Sequence, residues 1–137
     1  MVNKFDKKYS FLSNFYPCHI EYEGLEYNSV EAAFQAAKTL DNHIRKQFCN
    51  LAPNIAKKQG RKVKLRADWE QVKKDIMFEL VSKKFQDEHL KQMLLSTGSE
   101  ELVEGNIWHD TYWGVCNGIG QNNLGKILMK IRKDLQD

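Results

Sequence analysis

Residues 102–125 are the stretch that most restricts how this chain can fold. Their sequence, LVEGNIWHDTYWGVCNGIGQNNLG, holds five glycines and four asparagines, and it contains neither lysine nor arginine. Glycine and asparagine tolerate positive backbone φ angles, so this stretch is poor material for a helix or a regular strand. Two interpretations stay open, namely an irregular loop that binds a small molecule or a pair of tight turns that need glycine.

Helices are predicted on both sides of this loop from the spacing of apolar side chains. After the loop, Leu124, Ile127 and Leu128 mark one face of an amphipathic helix. Before it, the strongest pattern starts at Asp68, which has the spacing of a capping box with Gln71. The predicted helices upstream of the loop cover residues 30–40, 41–51, 53–60, 68–86 and 88–95.

A small amount of β structure is predicted near the N-terminus. Residues 20–27, IEYEGLEY, alternate apolar and polar side chains around a Glu23-Gly24 turn, which predicts a hairpin. A short strand is also predicted within residues 5–11. The sequence therefore indicates an α+β fold, with one mainly helical domain over residues 1–137 and a small N-terminal hairpin or sheet.

Composition excludes several classes of protein. The 137 residues carry a formal net charge of +3, and no apolar run approaches the length of a membrane span or of a signal peptide core. We therefore expect a cytoplasmic protein with no membrane partner. The three cysteines are widely spaced, which disfavours disulfide and zinc frameworks, and the basic run at residues 57–66 is either a solvated helix end or a phosphate contact.

Glu31 is the first acidic side chain with two competing interpretations. If Asn28 caps the helix that begins at Val30, Glu31 is the third helical residue, where a glutamate bonds back to the cap and complements the helix dipole. The alternative is a catalytic carboxylate. The residues around Glu31 favour the capping role but leave the catalytic role open.

Trp69 and Asp110 carry the same kind of ambiguity. Trp69 opens a helix on its apolar stripe, so it either packs in the core or stacks on a heterocyclic base. Asp110 lies in a glycine-rich segment, where a surface turn competes with a catalytic carboxylate. His109 has no partner histidine at helical spacing, so no metal site is expected, and Glu104 is a further candidate acid.

Nucleotide-binding motifs are absent from the chain. The GIGQN phrase at residues 118–122 lacks both a βαβ context and the third glycine of a dinucleotide fingerprint. The chain contains neither GxxxxGK[ST] nor GxSxG, which excludes P-loop and α/β-hydrolase interpretations. We expect no cofactor.

Taken together, separate phrases along the chain resemble the NADAR, or YbiA-like, family. The resemblance covers nearly the whole chain and depends on several phrases in a fixed order. These are SNF at residues 13–15, SVEAAFQAAK at 29–38, RADW at 66–69, LLSTG at 94–98, LVE at 102–104, DTYWG at 110–114 and LGKILM at 124–129.

The resemblance implies a mainly helical α+β fold and an N-glycosidase activity. Members similar to this chain hydrolyse the ribose–base C–N bond of early phosphoribosylamino-pyrimidine intermediates of riboflavin synthesis. Matched motif by motif, the implied catalytic residues are Glu31, Trp69 and Asp110. The implied substrate-binding residues are Asn14, Lys38, Arg66, Trp113 and Asn122, with Lys38 or Arg66 as the holder of a 5′-phosphate. The short GVCNGIGQ segment departs from relatives, so contacts that decide specificity there are expected to differ.

Cleavage of an N-glycoside passes through an oxocarbenium-like state. One carboxylate then stabilises the sugar cation while another activates water, but the sequence does not assign these roles between Glu31 and Asp110. Two alternative functions remain open, namely removal of ADP-ribose from guanine bases and non-catalytic binding of ADP-ribose or a nucleotide. Nucleic acid is expected only as an ADP-ribosylated substrate.

Overall fold

Six α helices carry most of the regular structure in the computed structural model, which describes residues 1–137 without a gap. A 3₁₀ helix at Lys7–Leu12 precedes them. The six helices are α1 (Val30–Ala36), α2 (Asn42–Lys46), α3 (Pro53–Gly60), α4 (Trp69–Lys84), α5 (Glu88–Leu95) and α6 (Asn123–Gln136).

Two small sheets complete the fold. Strands β1 (Ile20–Tyr22) and β2 (Leu25–Tyr27) form the predicted antiparallel hairpin. Its turn residues Glu23 and Gly24 have φ angles of 47° and 87°, which suit a tight two-residue hairpin turn. Strands β3 (Gly105–Asn106) and β4 (Val115–Cys116) pair in parallel within the glycine-rich stretch. Helices with small sheets confirm the predicted α+β class.

The chain divides into two compact units, and the prediction of a single domain stays a prediction. The central unit is Asn14–Lys84, and the terminal unit combines Met1–Ser13 with Phe85–Asp137. Phe34, Trp69 and Leu80 belong to the buried core of the central unit. The core of the terminal unit includes Phe11, Leu12, Phe85, Leu94, Leu102 and Leu128.

Some predicted bounds are confirmed and others are wrong. Helices α3 and α5 begin and end where the sequence predicts them. Helix α1 ends at Ala36 instead of residue 40, because Lys38 N–H and Thr39 N–H donate to carbonyls only three residues back and tighten the last turn. Helix α2 is likewise shorter than predicted and covers only Asn42–Lys46.

The strand predicted within residues 5–11 is wrong. Residues 7–12 form the 3₁₀ helix instead, and its first residue, Lys7, has a φ of 51°, which no strand residue adopts. Its last two residues, Phe11 and Leu12, are buried. Apolar burial in the terminal unit therefore decides the conformation here, rather than strand propensity. No helix of the structure combines the length and the apolar character needed to cross a membrane.

Candidate active site

Glu31 lies at the second position of helix α1, not the third. The N-cap is Ser29, whose hydroxyl accepts the Ala32 N–H at 3.1 Å, so the predicted cap at Asn28 is wrong by one residue. The backbone N–H of Glu31 donates to the carbonyl of Asn14 at 3.1 Å. The helix is therefore capped by Ser29 and Asn14, and the carboxylate of Glu31 is available for other interactions.

The carboxylate of Glu31 is held by a side chain one turn further along α1. Its Oε1 accepts a hydrogen bond of 3.0 Å from Gln35 Nε2, and Glu31 as a whole is only 8% exposed. A buried carboxylate needs partners, and an N–H donor stabilises its negative charge. Glu31 is thus placed as an oriented anion at the start of a helix.

Lys38 is a partly buried cation whose charge interacts with the Glu31 carboxylate. Burial lowers the pKa of Lys38, the positive charges of Arg61 and Lys73 lower it further, and the Glu31 carboxylate opposes both effects. The Lys38 ammonium donates to the Gly60 carbonyl at 3.5 Å, a long hydrogen bond. The Lys38 ammonium is thus partly buried, and both a carboxylate and two cations act on its charge.

The guanidinium group of Arg66 is hydrogen-bonded to other groups of the protein. Its Nε and Nη2 donate to the two carboxylate oxygens of Asp68 at 2.7 and 3.1 Å, and Nη1 donates to the Ala37 carbonyl at 3.4 Å. The hydrogen bonds of this pair raise the pKa of Arg66 and lower the pKa of Asp68. The Asp68 carboxylate, predicted to cap α4, pairs with Arg66, while the Asp68 carbonyl accepts the Val72 N–H at 3.1 Å.

Asn14 and Trp69 also belong to the central unit. Asn14 donates from Nδ2 to the Met77 sulfur at 3.5 Å. Trp69 is only 5% exposed and packs against Phe34 with ring centroids 5.0 Å apart. The structure thus shows the core packing of Trp69, and stacking of its indole on a substrate stays a prediction.

Asp110 is held by backbone groups of the terminal unit. Its Oδ1 accepts the N–H groups of Tyr112 at 3.1 Å and Trp113 at 2.9 Å, which fixes a local turn. No group of the chain donates to its other oxygen, Oδ2, and Asp110 is half-buried. The carboxylate is therefore anchored through one oxygen, which leaves the second for a ligand or water.

Asn106 fixes the backbone around Asp110, a role that the sequence did not predict. It is buried, and its Oδ1 accepts the backbone N–H groups of Trp108 at 3.3 Å and Asp110 at 3.1 Å. Its Nδ2 donates to Glu104 Oε2 at 3.0 Å and to the Asp110 carbonyl at 2.9 Å. Only the four-residue spacing of Asn106 and Asp110 hints at this role, and many loop asparagines share such spacing.

Asn122 and Trp113 stabilise the same segment. Asn122 adopts a left-handed conformation with φ 54°, accepts the Glu104 N–H at 3.0 Å and donates to the Leu102 carbonyl at 2.9 Å. Trp113 is half-buried and meets the Tyr112 ring edge-on, with centroids 4.7 Å apart. Both amide atoms of Asn122 are therefore used to clamp the backbone.

The predicted site residues thus form two sets, one in each unit. Asn14, Glu31, Lys38, Arg66 and Trp69 lie in the central unit. Backbone hydrogen bonds link them in turn, from Glu31 to Asn14, from Arg66 to Lys38 and from Trp69 to Arg66. Asp110, Trp113 and Asn122 lie in the terminal unit, where Asp110 is bonded directly to Trp113.

A surface depression of about 600 Å³ lies beside the hairpin and includes none of these residues. Its lining includes His19, Glu26, Asn28 and Cys49. The chain also contains no group of three or more His, Cys, Asp or Glu side chains placed to hold a metal ion. The depression is therefore separate from both sets of predicted site residues.

Comparison with known proteins gives a consistent family. A sequence model of the NADAR domain matches residues 2–136. The N-glycosidase YbiA of Shigella boydii is 37% identical over 132 residues, covering 93% of this chain and 82% of that protein. A riboflavin biosynthesis protein of Vibrio vulnificus is 34% identical over 96% of this chain, although the match covers only 37% of that longer protein.

A solved structure has the same fold as this chain. The NMR structure of the Escherichia coli protein YbiA superimposes with a TM-score of 0.84 and is 33% identical. The superposition covers 99% of this chain and 87% of the YbiA chain. The sequence match and the structural match therefore agree over almost every residue, and the chain belongs to the NADAR domain family.

Proposed function

We propose that this protein is an N-glycosidase, a hydrolase that cleaves the bond between ribose and a base. The observation that carries the proposal is the 37% identity to the N-glycosidase YbiA of Shigella boydii over 93% of this chain. The two carboxylates that such chemistry needs, Glu31 and Asp110, are each held in place by hydrogen bonds. Oriented anions are what an oxocarbenium-like state requires.

The contacts of the two carboxylates suggest different roles. Asp110 uses one oxygen for anchoring and keeps Oδ2 for a water molecule, so we assign it the orientation and deprotonation of the attacking water. Glu31 is more deeply buried, where a negative charge interacts more strongly with a developing positive charge. We therefore assign Glu31 the stabilisation of the sugar cation.

Chemical rescue separates these two roles. In Asp110→Ala, a small anionic base such as azide or formate takes the place of the carboxylate, so added azide should restore part of the rate. In Glu31→Ala, the buried charge is lost from the transition state and added azide should restore much less. Rescue of Glu31→Ala alone would reverse the assignment.

The proposed substrate is a phosphoribosylamino-pyrimidine, an early intermediate of riboflavin synthesis. This substrate class follows from the family and from the Vibrio vulnificus relative named a riboflavin biosynthesis protein. Charged phosphates cross lipid poorly, so the proposal implies that the protein works in the same compartment that makes its substrate, which we take to be the cytoplasm. ADP-ribosylated guanine is the alternative substrate.

Lys38 is the residue that we assign to the 5′-phosphate. The ammonium group of Lys38 is partly buried and makes a long hydrogen bond of 3.5 Å to the Gly60 carbonyl, whereas the guanidinium of Arg66 is paired with Asp68. Arg66 then contributes to binding by tying the end of α1 to the start of α4, through its bonds to Ala37 and Asp68.

A substitution tests the phosphate assignment. Because a hydrogen bond to a charged group contributes about 1.5–3 kcal/mol, Lys38→Met should raise KM by about 10- to 100-fold with little change in kcat. Lys62→Met, which removes an exposed charge from the same basic run, is the matched control and should leave KM unchanged. Equal changes in the two variants would show a general charge effect and contradict the assignment.

The remaining predicted residues have supporting roles in the proposal. Asn14 and Asn122 hold backbone or core atoms in place, and Trp69 and Trp113 border the two carboxylate-bearing segments. We expect Trp69 to limit water access to the reacting bond rather than to offer a wide stacking surface, since only 5% of it is exposed.

A substrate panel tests the proposed function. The purified protein is incubated in EDTA with the two early phosphoribosylamino-pyrimidines and, in parallel, with ADP-ribosylated guanosine, and released base and sugar phosphate are measured by mass spectrometry. Release from the pyrimidines is the expected result. Release only from the modified guanosine would move the activity to ADP-ribose chemistry. Tight ADP-ribose binding by calorimetry without turnover on any substrate would show a binding module instead.

A further inference from the structure

Gln35 is buried on helix α1, one turn after Glu31. It is 6% exposed, and its Nε2 donates to Glu31 Oε1 at 3.0 Å. Side chains four residues apart on a helix lie on the same face, so this contact follows directly from the VEAAFQ sequence. Gln35 is therefore an immediate hydrogen-bond donor to the carboxylate that the proposed mechanism uses.

The orientation of the Gln35 amide is fixed by this contact. A flipped amide would place its carbonyl oxygen against the carboxylate of Glu31, and two acceptors repel each other. With the donor facing Glu31, the carbonyl oxygen Oε1 is buried and has no hydrogen-bond partner in the chain. A buried acceptor without a partner is destabilising, so stability alone does not explain a glutamine at this position.

Gly60 provides the space that this orientation needs. Gly60 is the buried last residue of α3, and a Cβ atom built there would overlap Gln35 Oε1. Its φ is not positive, so the backbone conformation does not require glycine at this position. A larger residue at this position would instead displace the amide of Gln35 from its present place.

We propose that Gln35 is a positioning residue that holds the Glu31 carboxylate in one orientation for the reaction, and that Gly60 is the glycine that admits it. This inference rests on the proposed role of Glu31 in N-glycoside hydrolysis. It extends the site from the carboxylate to two neighbours on α1 and α3. Neither neighbour is required to touch the substrate.

The first test replaces Gln35 by methionine, which has a similar length and no polar terminal atoms. The Glu31 carboxylate then loses a donor, so kcat should fall about 10-fold while KM stays within about two-fold. The acidic limb of kcat/KM against pH should move up by roughly one pH unit, because the ionised carboxylate is less stabilised. Tm should change little, because loss of the donor to the buried Glu31 carboxylate is destabilising while removal of the unpaired amide oxygen is stabilising.

The second test uses Gly60→Ala and the double variant with Gln35→Ala. Alanine favours helix, so Gly60→Ala should not unfold α3, yet its methyl group displaces the Gln35 amide. We expect kcat to fall in Gly60→Ala and to fall no further when the substitution is added to Gln35→Ala. Gln59→Ala, an exposed neighbour on α3, is the matched control and should keep the kcat of the unmodified protein.

The outcomes separate this inference from the proposed function. If Glu31→Gln keeps full activity, the proposed role of Glu31 fails. If Glu31→Gln is inactive while Gln35→Met keeps its kcat and its pH profile, only the positioning role of Gln35 is overturned. A loss in Gly60→Ala that is equally large in the Gln35→Ala background would show that Gly60 does not act through Gln35.

Discussion

Helix α1 and the loop of residues 105–116 each hold one carboxylate, and they do so in different ways. Glu31 is 8% exposed, and its carboxylate accepts a hydrogen bond from Gln35 on its own helix. Asp110 is half-buried and is oriented by backbone N–H groups, with Asn106 fixing its main chain on both sides.

The difference shows what each kind of scaffold supplies. A helix fixes its backbone through its own hydrogen bonds, so a side chain one turn away is already placed to orient Glu31. A loop has no repeating bonds, so Asp110 needs a dedicated set of polar contacts. We therefore expect the helix-borne acid to depend on its own helix face and the loop-borne acid to depend on contacts across the loop.

The largest effect is expected from removing either charge while keeping shape. Glu31→Gln and Asp110→Asn should each lower kcat by about 10²- to 10⁴-fold, the usual contribution of a group that assists proton transfer or stabilises charge. Both variants should stay folded, because an amide oxygen still accepts the bonds that Gln35 or the Tyr112 and Trp113 N–H groups donate. Steady-state rates and circular dichroism check this, and a near-normal rate in either variant would remove that residue from the mechanism.

A smaller but still large effect is expected from Asn106→Ala. The loop loses four hydrogen bonds, so the free energy of unfolding should fall by about 2–4 kcal/mol and kcat by about 10- to 100-fold. Thr97→Val is the control in the same unit, because it removes the buried bond from Arg132 at 2.8 Å without touching the loop. Thr97→Val should lose stability and keep kcat, whereas equal kcat in the two variants would contradict the role of Asn106.

The central unit also contains a buried lysine, Lys84, whose titration affects stability. Burial at the end of α4 lowers the pKa of Lys84 to about 8, below its usual value near 10.5. Above pH 8 the unfolded chain binds more protons than the folded one, so stability should rise with pH, by about 2 kcal/mol between pH 7 and 9.5. Denaturant unfolding between pH 7 and 9.5 measures this rise.

The window ends near pH 9.5 because Tyr27 acts in the opposite direction. Burial raises the pKa of Tyr27 to about 12, so its contribution to stability falls as the pH rises above 10. Lys84→Met should be more stable than the unmodified protein at pH 7 and should lack the rise. A rise of the same size in Lys84→Met would show that another group titrates.

The smallest effect is expected from Asp68→Asn. The carboxylate of Asp68 is exposed, and exposed ion pairs contribute little, so Tm should change by about 2 °C or less. KM should stay within two-fold if Arg66 acts only by tying backbone segments together. A marked rise in KM would return Arg66 to direct substrate binding, and thermal melts with steady-state kinetics decide between these outcomes.

Much of the helical structure could be predicted, since apolar spacing and local caps are local signals. The hairpin turn at Glu23-Gly24 and the helices α3 and α5 appear where the sequence predicts them. The short strand predicted before Leu12 is wrong because burial, not propensity, decides that segment. The parallel pair of β3 and β4 has no signal of its own, because it joins residues ten apart within an aperiodic stretch.

The contacts around the predicted site residues were less accessible from sequence. Motif resemblance named Glu31 and Asp110, but Asn106 acts through four bonds that only the folded loop brings together. Arg66 carries a charge suited to binding phosphate, and only the structure shows that its guanidinium is hydrogen-bonded to the Asp68 carboxylate. The spacing of residues along the sequence does not show which of several possible anions a given arginine binds.

The most direct test of the account follows the oxygen of water. The protein is incubated with a phosphoribosylamino-pyrimidine in H₂¹⁸O with EDTA. The reaction is quenched before the sugar exchanges oxygen with the solvent, and the masses of both products are measured by mass spectrometry. Hydrolysis of the N-glycosidic bond predicts one ¹⁸O in the sugar phosphate and none in the base. Intact substrate, or label in the pyrimidine, would contradict the claim that this protein is an N-glycosidase of this substrate.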